Sequence, residues 1–118
     1  MDKVAAGQIY HGGAHKIPLR WMNVEGTPIQ RASFYAIPPG EVCTRHVHTG
    51  KTETWVVVAG AGVASVDGRD YPVGQGDAVE TVAGVSHKLT NTGSEPLYFM
   101  NLSILTGGPV TTTELPDG

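Results

Sequence analysis

From residue 32 onward the apolar residues of this chain recur at every second position, and breaks rich in glycine or proline interrupt them every few residues. A period of two places successive side chains on opposite faces of a strand, whereas a helix needs a period near 3.6. The pattern therefore predicts an all-β protein of short strands over 32–37, 43–49, 54–59, 63–66, 78–81, 87–91 and 97–104. The breaks are turn chemistry: Pro38-Pro39-Gly40, Gly50-Lys51, Gly60-Ala61-Gly62, Asp67-Gly68, Gly74-Gln75-Gly76, Ala83-Gly84 and Thr92-Gly93-Ser94. Asp67-Gly68 is the strongest hairpin signal among them, because both residues tolerate the positive φ of a two-residue turn. Seven short strands with regular turns indicate a sandwich or barrel.

With 118 residues there is room for one core. The expected organisation is an N-terminal arm with edge strands over 1–30, holding His11, His15, Pro18, Trp21 and Pro28, then a barrel over 31–105. A Thr-, Gly- and Pro-rich tail over 106–118 has little to bury and is expected to be partly mobile. The formal charge of −3 and the absence of any Lys or Arg run argue against a nucleic-acid or acidic-membrane partner. No run approaches the roughly 20 apolar residues of a membrane helix, and the first residues lack a secretory core. A single Cys43 allows no internal disulfide, so the chain is expected to be cytoplasmic.

The chemistry starts at His46-Val47-His48. Two apart on a strand, both imidazoles share a face and can converge on one ion. If residues 49–52 form a hairpin loop, Glu53 lies opposite His48 and joins that face, with Thr44, Trp55, Val57 and Ala59. By the same parity Cys43, Arg45 and Val47 point away, and Lys51 sits at the hairpin tip in solvent. His87 shares a strand face with Val85, Leu89 and Asn91, but spacing does not set its distance from the other three. Trp55 is as well suited to filling the barrel mouth as to walling a substrate. Tyr35, Tyr98, Phe99, Met100 and Asn101 read as core, Cys43 as an inert thiol, and His11 and His15 as solvated. Gly60-Ala61-Gly62 is no nucleotide loop, because another strand follows it rather than a helix.

These residues resemble the cupin family. Its first motif, Gly, five residues, His-x-His, three or four residues, Glu, six residues, Gly, is met in full by Gly40, His46, His48, Glu53 and Gly60. The second, Gly, five residues, Pro-x-Gly, two residues, His, three residues, Asn, is met by Gly76, Gly84, His87 and Asn91, with Val82 in place of the proline. The resemblance implies an antiparallel β-barrel of the double-stranded β-helix or jelly-roll type, in which His46, His48, Glu53 and His87 ligate one divalent transition metal. It also implies a homodimer. Three neutral imidazoles and a carboxylate leave positions open on a six-coordinate ion, and suit iron, manganese, zinc, nickel, cobalt or copper. No dedicated inward base is legible, so the expected activity is an iron-dependent oxygenase acting on a small organic molecule. A non-redox isomerase, lyase or cyclase and a non-catalytic small-molecule binding module are the alternatives.

Overall fold

A computed structural model describes residues 11–18 and 31–116. Trp21 and Pro28 of the expected arm lie outside the described residues. Among those described there are ten strands and no helix: β1 (His15–Pro18), β2 (Arg31–Ile37), β3 (Val42–Thr49), β4 (Lys51–Ala59), β5 (Ala61–Val66), β6 (Arg69–Gly74), β7 (Ala78–Thr81), β8 (His87–Asn91), β9 (Leu97–Leu105) and β10 (Thr111–Glu114). They form two five-stranded antiparallel sheets, ordered β1-β2-β9-β4-β7 and β10-β3-β8-β5-β6. This is the double-stranded β-helix expected from the sequence, with backbone pairing that does not run continuously from one sheet into the other. The core lies between the sheets, with Tyr35, Ile37, Trp55, Val57, Leu97 and Phe99 from the first and Cys43, Ala64 and Leu89 from the second.

The Asp67-Gly68 turn is where it was expected. Val66 pairs with Arg69 across it, and both turn residues have positive φ, 52° and 78°. That turn leads into β6, which no sequence pattern marks. Arg69, Asp70, Tyr71 and Pro72 in it are all exposed, so it lacks the alternating apolar signal of a half-buried strand. Asn91 closes β8 by clamping the backbone: its Nδ2 donates to the carbonyls of Ile37 and Glu95 at 2.8 Å each, and its Oδ1 accepts from Gly93 N at 2.9 Å.

Two expectations about the chain path fail, each for a non-local reason. The segment from β3 to β4 is not a hairpin: β3 pairs with β8 and β10, β4 with β7 and β9, and the chain crosses between sheets at Gly50. His48 and Glu53 therefore meet across the interior rather than along a ladder. The tail, in turn, is not a free end. Thr111–Glu114 pairs with Thr49 back to His46, and its all-exposed threonines hide it from any hydrophobic pattern.

Candidate metal centre

The centre is built from three strands. His46 and His48 alternate inward on β3, His87 opens β8 directly across the ladder from His46, and Glu53 faces them from β4 in the opposite sheet. All four are buried, and one ligand atom from each lies within 4.8 Å of every other. The turn before His87 is tied to the centre's backbone, since Gly84 N donates to His48 O at 2.8 Å. Gly84 takes φ of +86°, a value L side chains rarely adopt, and Val82, in the position of the family's proline, accepts from Val85 N across the same turn.

The hydrogen bonds around the histidines leave their Nε2 atoms for another task. His46 Nδ1 donates to Thr44 O at 2.6 Å and His87 Nδ1 to Val85 O at 3.0 Å, so each neutral ring carries its proton on Nδ1 and a lone pair on Nε2. His48 Nδ1 bonds the hydroxyl of Thr112 on β10 at 2.8 Å. The lone pairs of His46 and His87 face each other at 3.0 Å. His48 Nε2 and Glu53 Oε2 are 3.3 Å apart and both are shut off from solvent, Nε2 with no hydrogen bond and Oε2 with only the Lys51 ammonium beside it. Buried lone pairs directed at one point repel unless a cation lies among them. The donor set fits a divalent ion.

Electrostatics agree. Burial first, then the neighbouring His11 and His87, pushes the His46 imidazolium down to about 3, so the ring is neutral and ready to donate. Burial alone would raise the Glu53 carboxyl, but its close contacts with the His48 and His87 rings and the charge of Lys51 hold it well below the usual carboxylate range. Trp55 Nε1 donates to Glu53 Oε1 at 2.9 Å, and Lys51 Nζ forms an ion pair with Oε2 at 3.0 Å. Both carboxylate oxygens are thus oriented from outside the cluster.

Several residues stand elsewhere than the sequence suggested. Lys51 is buried beside Glu53 rather than solvated at a loop tip, because its strand begins at residue 51 and the residues 51, 53, 55 and 57 all face inward. Cys43 also faces in. A β-bulge sets Thr44 and Arg45 against Lys88 alone, so Cys43 and His46, three apart, share the inner face. Its thiol is inert, with burial driving its pKa strongly upward. Arg45 is half-buried, its guanidinium 3.4 Å from Ser86 Oγ.

The same bulge recruits His11. Thr44 N donates to His11 O, Gly13 N donates to Val42 O, and the arm is laid along β3. The His11 ring stacks on His46 with centroids 4.0 Å apart and planes 2° from parallel. Its Nδ1 is 2.5 Å from Glu114 Oε1, and Thr44 Oγ1 donates to the other carboxylate oxygen. The expectation of a solvated His11 is overturned, and no sequence signal carried it, because both contacts depend on the pairing of distant segments.

A small cavity of about 90 Å³ opens onto the centre. His46, His48, Glu53 and Trp55 form part of its lining, as do the cations Lys16, Arg31 and Lys51, and polar Ser33, Asn101 and Ser103. Trp55 both fills the core and walls this space. Asn101, read from the sequence as core, lines it too.

Residues 33–104 match the Cupin domain family. The oxalate-binding protein of Thermotoga maritima is 38% identical over 97 residues, 80% of each chain. Among solved structures, a protein of Thermotoga maritima described as a predicted oxalate decarboxylase superposes with a TM-score of 0.69 at 26% identity, over 88% of this chain and 90% of that one. A cupin-superfamily sugar phosphate isomerase of Silicibacter pomeroyi superposes with a TM-score of 0.70 over 87% of this chain and 66% of its own; at 23% identity it shows the shared fold. With both signature motifs, the two-sheet architecture and the family match over most of its length, this chain belongs to the cupin family.

Proposed function

We propose that this chain holds one divalent metal ion on His46, His48, Glu53 and His87 and uses it to take up a small carboxylate chelator of oxalate's size. The observation that carries the reading is the cavity's charge. Glu53 is the one acid among its described lining residues, against Lys16, Arg31 and Lys51. A divalent ion would more than cancel Glu53 and leave a strongly positive space that favours an anion. The size agrees, because about 90 Å³ is well under the roughly 300 Å³ of pockets for drug-sized ligands. The oxalate-binding relative supports the same ligand class. When bound, the ion supplies a Lewis acid with positions open to two oxygens. Lys51 and Trp55 keep Glu53 oriented, and the backbone carbonyls of Thr44 and Val85 keep two imidazoles in the ligating tautomer.

Iron-dependent oxygenation was expected because no inward proton carrier was legible in the sequence, and that ground is gone: His11 and Lys51 both line the cavity. The same observation favours, as a second reading, non-redox turnover of the bound anion. The test is calorimetric. Metal-free protein is loaded with Mn(II) or Zn(II) and titrated with oxalate, with acetate as a single-carboxylate comparator. Oxalate binding that needs the metal, and that His48→Ala abolishes together with metal uptake, is the expected result. Oxalate binding indifferent to metal removal overturns the reading. Product analysis with and without dioxygen then separates uptake, non-redox turnover and oxygenation.

A further inference from the structure

The inner face of the sheet opposite the histidines is ordered in rows. Strand register places Arg31, Ser103 and Glu53 in one row, Ser33, Asn101 and Trp55 in the next, and Tyr35, Phe99 and Val57 in a third. Rows on one face are two residues apart along the strand, about 7 Å. The third row is buried and apolar, whereas the first two add the polar Ser33, Asn101 and Ser103 to the lining of the cavity. Asn101 differs from its neighbours in one respect: its Oδ1 is shut off from solvent and has no hydrogen-bond partner. Native structures seldom bury an amide oxygen unmet, and those they do bury call for an explanation. Hydrophobic packing does not account for an amide between Trp55 and a serine, where leucine would fill the same space without loss.

We propose that Asn101 is a specificity-determining residue, whose side-chain amide hydrogen-bonds the end of the ligand that points away from the metal. It would thereby select molecules that carry a second oxygen-bearing group next to the chelating carboxylate. An amide can meet that group in either sense, with Nδ2 donating to a carboxylate or Oδ1 accepting from a hydroxyl. The inference rests on the metal-bound anion reading above, and it adds which residue reads the ligand's far end and what that end carries.

The experiment compares Mn(II)-loaded wild type with Asn101→Leu, which keeps the branched shape without its polar atoms, and Asn101→Ala, which adds no bulk and keeps the inference testable if the first fails to fold. Metal content is measured in each, followed by calorimetric titration with oxalate, glycolate and acetate. Full metal content with an oxalate affinity lower by about tenfold or more in both variants, and acetate affinity unchanged, is the expected result. A drop for glycolate alone would assign the contact to Oδ1 and a hydroxyl, and supports the same role. Oxalate and glycolate binding within twofold of wild type in both variants overturns the inference and leaves the metal-anion reading standing. Loss of metal in parallel with loss of anion also overturns it, because Asn101 would then act through the ligands. Wild-type protein that takes up metal but none of the three anions removes the underlying reading, and this inference with it.

Discussion

Trp55→Phe removes one hydrogen bond from Glu53, the most buried carboxylate among the described residues, while keeping an aromatic ring in place. Phenyl can retain much of the packing against His87 and Phe99, whose ring centroids lie 4.9 and 5.3 Å from that of Trp55. What it cannot replace is the Nε1 donor 2.9 Å from Glu53 Oε1. The other nitrogen near that oxygen, His87 Nε2 at 3.4 Å, has no proton to give while Nδ1 of the neutral ring is bonded to Val85 O. Losing a hydrogen bond to a buried charged acceptor costs about 1.5–3 kcal/mol. The gap left by the smaller ring adds about 1 kcal/mol. The expected loss of about 2.5–4 kcal/mol corresponds, for a domain of this size, to a fall in Tm of roughly 10–16 °C. The assay is thermal and urea denaturation with chelator present, repeated in a Glu53→Met background. There the hydrogen bond is already absent, and the Trp55→Phe cost should shrink to the packing part, about 1 kcal/mol. Equal costs in the two backgrounds would refute the argument that Trp55 acts through Glu53.

Metal-free protein should lose stability in acid. His46 is held neutral, with its pKa lowered to about 3, so the unfolded chain binds more protons once the pH drops below its unfolded value of 6.5. Its contribution is complete above 6.5 and is lost as pH falls toward about 3, at no more than about 1.4 kcal/mol per pH unit. A urea midpoint that does not fall between pH 7.5 and 5.0 would contradict this. Gly62→Ala should destabilise by about 2–3 kcal/mol, because the new Cβ would stand 2.2 Å from Thr90 O and 2.7 Å from Leu97 Cδ1, and the oxygen belongs to a paired strand. Gly68→Ala meets nothing within 4 Å and bears only the strain of φ +78°, about 1 kcal/mol, so the same denaturation series orders the two. The homodimer implied by the family resemblance is tested by sedimentation equilibrium at micromolar concentration, where a monomer mass would exclude it.

What the sequence alone determined is local or carried by spacing. Alternation marked the interior strands, since a strand with one buried face must place apolar residues two apart. Asp67-Gly68 marked its turn by the conformation those residues accept, and the paired motifs singled out His46, His48, Glu53 and His87 before any distance was known. The tertiary structure decided whatever depends on which segment lies beside which. The bulge at Thr44 and Arg45 reversed the parity that had turned Cys43 outward. Crossing at Gly50 put β4 in the opposite sheet, so Glu53 meets the histidines across the core and Lys51 is buried with it. Neither His11 nor Glu114 lies in a hydrophobic pattern, and each reaches the centre because its backbone pairs with β3. Backbone pairing between distant segments is set by the amide and carbonyl groups common to every residue. It leaves almost no trace in side-chain identity, and here it completes the walls of the site.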